Sequence, residues 1–171
     1  MPSCSPLPPV VVMGVSGSGK STIGIALAAA LDVTFIDADD LHSKANTQKM
    51  AHGIPLTDDD RQPWLASVGQ ALHSLPAHGP IVACSALRKV YRDALRSSAP
   101  DAVFVHLAGG ADLIRARMVH RTDHFMPPEL LASQLDTLEP LTPDERGVVL
   151  DTGDGVASIV DRAVAWLRAG V

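Results

Sequence analysis

The stretch Gly14-Val-Ser-Gly-Ser-Gly-Lys-Ser21 matches the Walker A pattern G-x-x-x-x-G-K-[ST] in full. It follows the β-branched run Val10–Met13 and opens the helical pattern Lys20–Leu31, which is the strand–loop–helix context that the motif requires. Glycines let backbone N–H groups turn inward around phosphate oxygens, and the start of a helix adds its positive end. The stretch therefore predicts a nucleotide-phosphate site.

Within this loop we predict a role for each polar side chain. Lys20 is expected to reach the β- and γ-phosphates and to act in catalysis, and the Ser21 hydroxyl is expected to hold Mg²⁺. ATP is the expected nucleotide, because the chain has no Asn-Lys-x-Asp guanine motif. The predicted nucleotide-binding residues are Gly14, Val15, Ser16, Gly17, Ser18, Gly19, Lys20, Ser21 and Thr22.

Apolar runs of strand length alternate with helical patterns along the rest of the chain. The runs lack the polar alternation of half-exposed strands, which is typical of parallel strands buried on both faces. Strand–helix alternation predicts an α/β fold with right-handed crossovers. The predicted strands are Val10–Met13, Val33–Ile36, Ile81–Cys84, Val103–Leu107 and Val148–Leu150. The predicted helices are Lys20–Leu31, Pro63–Leu75, Val90–Arg96, Asp112–Arg121 and a last helix from Val156 to Leu167.

Composition limits the classes of protein that the chain can be. Its 171 residues fit one domain, and a hydrophobic content of 46% excludes a disordered chain. A net charge of −5 argues against nucleic-acid binding, and no apolar run is long enough to span a membrane. The cysteines Cys4 and Cys84 have neither metal-site nor disulfide-framework spacing, and the N-terminus lacks signal-peptide character. We therefore expect a cytoplasmic protein.

Two polar stretches, Leu41–Asp60 and His120–Arg146, fit the alternating plan poorly. Ligands bind beyond the carboxyl ends of the strands in such sheets, so both stretches are candidate lids. We expect a disordered tail at residues 1–8 and a single domain over residues 9–171. Within it, residues 39–62 would form a helical segment on the substrate side and residues 120–146 a lid.

An acidic cluster, Ile36-Asp-Ala-Asp-Asp40, comes directly after the second predicted strand. A carboxylate at this place can take the proton of an attacking hydroxyl or orient the hydration shell of Mg²⁺. Asp37 and Asp39 are the candidates for these functions. Asp40 is expected instead to cap the next helix.

Several cations are placed to meet an anionic substrate or a phosphoryl group. Arg88, Lys89 and Arg92 follow the third strand, and arginine binds carboxylates through a bidentate fork. Each of these side chains has the alternative of a solvated surface position. Arg117 and Arg121 share a helix face and would supply positive charge to the transferred phosphoryl group. Arg61, in an acidic run, is a further candidate for the substrate.

The chain resembles gluconate kinases of the small P-loop type from about Val10 to the last helix. Besides the Walker A loop, the resemblance is carried by Asp-Asp-Asp-Arg-x-Pro-Trp-Leu65 and Cys84-Ser-Ala-Leu-Arg88, which are highly specific together. Further matching motifs are Asp37-Ala-Asp-Asp-Leu-His42, Asn46 with Lys49-Met50, Gly53-Ile-Pro-Leu-Thr57, Tyr91-Arg-Asp93, Arg121 with His124-Phe125, and Gln134 with Thr137-Leu-Glu139.

The resemblance implies a three-layer fold like that of nucleoside-monophosphate and shikimate kinases, with a parallel five-stranded sheet of order 2-3-1-4-5 and helical lid insertions. It implies phosphorylation of D-gluconate to 6-phosphogluconate for the pentose phosphate pathway, and commonly a homodimer. Asp39 would act at the sugar 6-hydroxyl, and Asp37 would sit near Mg²⁺. The implied substrate-binding residues are Asp39, His42, Arg61, Arg88, Arg92 and His124, and Arg117 and Arg121 belong to the lid.

The chain departs from the family pattern at three places, none of which removes a part that the mechanism needs. Thr122-Asp123 replaces Lys-Gly, Arg88 replaces a lysine of some members, and Asp40 replaces an often apolar residue. Two alternatives stay open at this point. One is a related small-metabolite kinase, such as a shikimate kinase, and the other is a nucleotide-binding module without turnover.

Overall fold

The protein is described from a computed structural model that covers residues 6–74, 78–120 and 129–171. Its five strands form one parallel sheet, and their order, β2-β3-β1-β4-β5, confirms the predicted order. The strands are β1 (Val10–Met13), β2 (Phe35–Asp37), β3 (Ile81–Ala83), β4 (Val103–Ala108) and β5 (Gly147–Asp151). The strand that precedes the Walker A loop therefore lies at the centre of the sheet.

The described residues contain seven α-helices, which cover both faces of the sheet. They are α1 (Lys20–Leu31), α2 (Lys44–Ala51), α3 (Asp58–His73), α4 (Lys89–Ser98), α5 (Ala111–Val119), α6 (Glu129–Thr137) and α7 (Val156–Arg168). On one face α1 and α7 pack against Val10 and Val12. On the other face α3 and α4 pack against Val11 and Met13. Helix, sheet and helix form the three predicted layers.

The side chains of β1 contribute to the hydrophobic cores on both faces of the sheet. Val10, Val11, Val12 and Met13 are all buried, and successive side chains point to opposite faces of the sheet. A third, smaller apolar cluster contains Val15, Leu87, Ile114 and Leu131. It joins the Walker A loop to α5 and α6, so α6, the described helix of the predicted lid region, is packed against the phosphate loop.

The start of α3 corrects the predicted boundary at Pro63. The helix begins at Asp58, because Thr57 and Asp60 form a capping box in which each side chain accepts a hydrogen bond from the backbone N–H of the other. Pro63 lies inside the helix. Arg61 is therefore a helical residue with a fixed direction. The predicted role of Asp40 as a helix cap is wrong, since Ser43 caps α2.

The loops after β1, β2, β3 and β4 all leave the same edge of the sheet, because the strands are parallel. Among the residues that the structure describes, no helix is both long enough and apolar enough to cross a membrane.

Candidate active site

The loop between β1 and α1 has the backbone shape of a phosphate cradle. Gly14 and Gly17 have φ angles of 149° and 81°, which L side chains rarely adopt. A Cβ at Gly14 would lie 2.6 Å from the Ser18 Oγ and 2.8 Å from the Leu107 carbonyl oxygen. A Cβ at Gly17 would lie 2.8 Å from the Met118 Cγ. Only glycine fits at these two positions, so the curved loop depends on them.

The N-terminus of α1 is left open toward this loop. Its N-cap, Gly19, has no side chain that could accept a hydrogen bond from the N–H groups of the first helical turn. The Lys20 Nζ donates to the Val15 carbonyl oxygen at 3.0 Å and so spans the loop from one side to the other. Backbone N–H groups, the positive helix end and an ammonium group therefore converge where phosphates would lie.

Ser21 and Asp37 meet at the side of this loop. The Ser21 hydroxyl donates to the Asp37 Oδ2 at 2.8 Å, and the Asp37 Oδ1 accepts from the Asp39 backbone N–H at 3.0 Å. A hydroxyl and a carboxylate beside a phosphate cradle are the hard oxygen ligands that Mg²⁺ takes, together with waters and substrate phosphates. The arrangement therefore fits the predicted Mg²⁺ site.

A central cleft opens in front of the phosphate loop. Besides Ser16, Gly17, Gly19 and Ser21 of the phosphate loop, it brings together the predicted residues Lys20, Asp37, Asp39, His42 and Arg61. Asp39 is solvent-exposed and follows the end of β2. The other side of the cleft is formed by Ser85 and Leu87 from the β3–α4 turn and by Leu130, Ser133, Gln134 and Thr137 from α6.

His42 forms a flat platform with Trp64 in this cleft. Their ring centroids lie 4.2 Å apart with an interplanar angle of 12°, and the Trp64 Nε1 donates to the Ala38 carbonyl oxygen at 2.7 Å. Burial, together with the positive charge of Arg61, lowers the pKa of His42 to about 4. His42 is therefore neutral near pH 7 and offers one donor and one acceptor nitrogen.

Tyr91 holds two of the predicted arginines on its ring. The guanidinium carbons of Arg61 and Arg88 lie 5.3 Å and 5.6 Å from the ring centroid. The Tyr91 hydroxyl donates to Asp58 at 2.6 Å and accepts from Arg61 at 3.2 Å. Arg88 forms ion pairs with Asp58 at 3.2 Å and with Glu139 at 3.6 Å. Arg61 lines both the central cleft and a second, outer cavity, whereas Arg88 lines the outer cavity but not the central cleft.

Arg92 is not brought to the cleft. Its side chain has no exposed surface, and it is paired with the equally buried Glu145 over 2.6 Å. The reason is its place on α4, where it shares the buried face with Tyr91 and Leu95. The sequence-based interpretation treated Arg92 like Arg88, because both follow β3, but the helix points them in different directions.

Arg117 does not line the central cleft. It lines a separate cavity with the loop glycines and Thr22, and its Nη2 donates to the Thr152 carbonyl oxygen at 2.6 Å. Arg121 and His124, the other lid residues singled out in the sequence, lie outside the described residues.

Three residues of the site had no predicted chemical role. Gln134 accepts a hydrogen bond from the Ser16 backbone N–H at 2.6 Å and so ties α6 to the phosphate loop. Tyr91 orients the two arginines, and Trp64, which was expected only to pack, also supports His42. Gln134 and Tyr91 lie in motifs that carry the family resemblance, which was the available indication of a role.

Cys84 lies at the end of β3, directly before this site, and is buried as expected from its apolar surroundings. Burial raises the pKa of its thiol to about 12. The thiol is therefore protonated at neutral pH, and Cys84 is not a nucleophile.

Comparison with known proteins identifies relatives of this chain. The family model of shikimate kinase matches residues 16–168. The thermosensitive gluconokinase of Escherichia coli (strain K12) is 44% identical over 155 residues, which cover 89% of this chain and 83% of that protein.

Two solved structures are also similar. An unliganded sugar kinase from Janibacter sp. HTCC2649 has a TM-score of 0.90 and 47% identity, with 96% of each chain covered. A gluconokinase from Sinorhizobium meliloti 1021 has a TM-score of 0.87 and 49% identity, covering 95% of this chain and 92% of that one.

Fold, phosphate loop and family match together define an ATP-dependent P-loop kinase of the shikimate kinase family. A shikimate kinase from Bacteroides thetaiotaomicron, at 17% identity and a TM-score of 0.70, shares the fold alone. Within this group, identities above 40% over most of the chain place the protein with one branch. The chain belongs to the gluconokinase family.

Proposed function

We propose that the protein transfers the γ-phosphoryl group of ATP to the 6-hydroxyl of D-gluconate, giving 6-phospho-D-gluconate and ADP. The observation that carries this proposal is that one cleft holds the phosphate-loop Lys20, the carboxylate Asp39 and the guanidinium Arg61. Phosphorylation of a sugar acid needs a group that binds the phosphates of ATP, an acceptor for the proton of the hydroxyl and a group that binds the carboxylate. The names of the gluconokinase relatives support gluconate as the acceptor.

The nucleotide is held by the loop from Gly14 to Thr22. Its backbone N–H groups and Lys20 would bind the β- and γ-phosphates and stabilise the charge on the transferred group. Ser21 and Asp37 would hold Mg²⁺, which when bound neutralises phosphate charge. The Ser21–Asp37 hydrogen bond supports this assignment, because it already brings both oxygens together.

Asp39 is proposed to accept the proton of the sugar hydroxyl as its oxygen attacks the γ-phosphorus. The bond from phosphorus to the ADP oxygen breaks as the new one forms, with the two oxygens roughly in line. The position of Asp39 in the same cleft as Lys20 supports this role. The neutral imidazole of His42 would hydrogen-bond a sugar hydroxyl. Arg61 would bind the carboxylate of the substrate, and Arg88 would assist it at the outer edge of the site.

Three further assignments complete the proposal. Arg117 and Arg121 would place positive charge beside the phosphates, and His124 would contact the substrate from the lid. Of these, Arg117 has a described position beside the loop glycines, which supports its role. The family resemblance supports a homodimer and a place in gluconate use through the pentose phosphate pathway. The absence of disulfide spacing between the two cysteines supports a cytoplasmic location.

The test is an ADP-release assay with a panel of acceptors that includes D-gluconate, other sugar acids and shikimate. We expect turnover with D-gluconate, and we expect Asp39→Asn to lower kcat by at least about 10²-fold because general-base catalysis is lost. Asp40→Asn is the matched control, since Asp40 is exposed next to the site and does not line the cleft.

Each other outcome rejects a defined part of the proposal. Turnover with another acceptor but none with D-gluconate would reject the substrate. ATP binding without release of ADP in the presence of any acceptor would indicate a binding module and reject catalysis. Equal activity of Asp39→Asn and Asp40→Asn would reject the role of Asp39 alone.

A further inference from the structure

Arg92 is the largest fully buried side chain among the described residues, and all of its guanidinium nitrogens are hydrogen-bonded. The Nε and Nη2 donate to the two carboxylate oxygens of Glu145 at 2.6 Å and 2.9 Å. The remaining hydrogen bonds go to backbone carbonyl oxygens. They are those of Ala86 at 3.0 Å, Leu87 at 3.3 Å, Glu139 at 3.2 Å and Pro140 at 3.3 Å.

Glu145 is equally buried and has partners of its own. Its Oε2 accepts from the Thr142 backbone N–H at 2.9 Å and from the Thr142 hydroxyl at 3.1 Å. The Arg92 guanidinium group therefore binds both ends of the segment from Glu139 to Glu145 and holds this segment as a loop. Such a buried ion pair gives little net stability, because desolvation of both charges offsets their attraction, but it defines one geometry.

The four carbonyl groups belong to two segments that are far apart in sequence. Ala86 and Leu87 lie in the turn between β3 and α4, whereas Glu139 and Pro140 follow the end of α6. Two further hydrogen bonds join the same segments. The Glu139 N–H donates to the Leu87 carbonyl oxygen at 2.7 Å, and the Glu139 carboxylate accepts from the Lys89 N–H at 2.6 Å.

These two segments together form one side of the cleft wall. The β3–α4 turn contributes Ser85 and Leu87, and α6 contributes Ser133, Gln134 and Thr137. Ala86, between the first two, has a φ angle of 43°, a left-handed conformation that is unfavourable for a residue with a side chain. Its carbonyl oxygen is held by Arg92, which secures this unfavourable turn where it meets the cleft.

We propose that Arg92 and Glu145 are positioning residues that set the distance between the β3–α4 turn and α6, and thereby the acceptor side of the cleft. The proposal rests on the proposed function for the identity of the acceptor. Neither residue touches the substrate. The phosphate loop connects β1 to α1 and meets α6 through the hydrogen bond from the Ser16 N–H to Gln134, so we expect the nucleotide side to depend on the pair less than the acceptor side does.

The test compares Arg92→Lys and Glu145→Gln with the wild type and with Arg96→Lys. Arg96 is the matched control, since it lies on the same helix and pairs with the half-exposed Asp93. In both test variants we expect the KM for D-gluconate to rise at least about 10-fold. The Kd for ADP, measured by calorimetry, should stay within about twofold, and Arg96→Lys should change neither quantity.

A second readout does not depend on the acceptor. Hydrogen exchange of the α6 amide groups should accelerate in both test variants, while exchange in α1 stays as in the wild type. If the wild type fails to turn over D-gluconate, the proposed function fails, and the exchange experiment still decides the positioning role.

Two results would overturn the proposal. One is a lower Tm with an unchanged KM for D-gluconate and unchanged α6 exchange, which would make the pair merely structural. The other is a parallel loss of acceptor and ADP binding, or failure of both variants to fold, since either would mean that the pair supports the whole domain.

Discussion

The Ser21 hydroxyl and the Asp37 carboxylate lie 2.8 Å apart, although Ser21 belongs to the first turn of α1 and Asp37 ends β2. In the sheet, β3 separates β2 from β1, the strand that leads into α1. The crossover through α1 thus brings one end of β2 back to the phosphate loop. A hydroxyl and a carboxylate held in this way are a prepared pair of oxygen ligands for Mg²⁺.

Replacement of Asp37 by asparagine should raise the Mg²⁺ concentration needed for half-maximal activity by about 10-fold or more. The reason is that a charged oxygen ligand, or the partner that orients Ser21, is lost. Titration of activity with Mg²⁺ at saturating ATP measures this shift. Asp40→Asn is the control, and an identical Mg²⁺ dependence for both variants would contradict the assignment of Asp37.

The two arginines on the Tyr91 ring should differ in their contribution to acceptor binding. Arg61 lines the central cleft and has one long ion pair, with Asp58 at 3.9 Å, whereas Arg88 is paired with Asp58 at 3.2 Å and with Glu139 at 3.6 Å. We expect Arg61→Met to raise the KM for D-gluconate about 100-fold, the value of a lost charge-assisted hydrogen bond, and Arg88→Met to raise it by less than about 10-fold. Steady-state kinetics with ATP saturating measure both effects, and the reverse order would reassign the carboxylate to Arg88.

His42 should make the stability of the protein depend on pH between 6.5 and about 4. Burial and Arg61 lower its pKa from 6.5 to about 4 in the folded state, so the unfolded chain takes up this proton first as the pH falls. The stabilising contribution of the neutral imidazole is complete above pH 6.5 and is lost progressively down to pH 4.

Urea unfolding at pH 7.0, 5.5 and 4.5 tests this dependence. The free energy of unfolding should fall less steeply with pH in His42→Gln than in the wild type, because the variant has no proton to take up at this position. His52→Gln, which changes an exposed histidine, should behave like the wild type. Parallel curves for all three proteins would show that His42 is not buried in this way.

Asp32 offers a site for stabilisation away from the active site. It ends α1 in a left-handed conformation with a φ angle of 55°, and its carboxylate lies at the negative end of the helix dipole. Asp32→Gly should raise the free energy of unfolding by about 0.5 kcal/mol. Relief of backbone strain and removal of the charge together exceed the added entropy of the unfolded chain.

Thermal or urea unfolding detects the change at Asp32. Asp32→Ala removes the charge but keeps a side chain at the strained position, so it should be less stable than Asp32→Gly. If the alanine variant were the more stable of the two, backbone strain would not be the cause.

The sequence predicts the sheet and the nucleotide side of the site closely, and it predicts the acceptor side less well. The Walker A motif requires both β1 and α1, and their predicted bounds agree with the structure. The start of α3 was missed because Pro63 resembles a first helical residue, whereas the capping box at Thr57 lies further upstream. Local patterns locate elements well when each one carries its own boundary signals.

Arg92 shows why the rest could not be predicted. Like Arg88 it follows β3, but its direction depends on the buried face of α4 that it shares with Tyr91 and Leu95. Its partner, Glu145, lies 53 positions further along the chain, in a segment without a recognisable motif. A buried ion pair of this kind is a property of the packed structure, and composition or periodicity does not indicate it.

The buried, protonated thiol of Cys84 has a practical consequence for following motions of the enzyme. Thiol reagents such as maleimides attack the thiolate, and a pKa of about 12 with no access to solvent leaves this cysteine inert toward them. Once Cys4 is replaced by serine, a cysteine introduced at an exposed position of α6 would be the single target for a fluorophore. The native Cys84 can stay in place, and the labelled enzyme can report whether α6 moves during turnover.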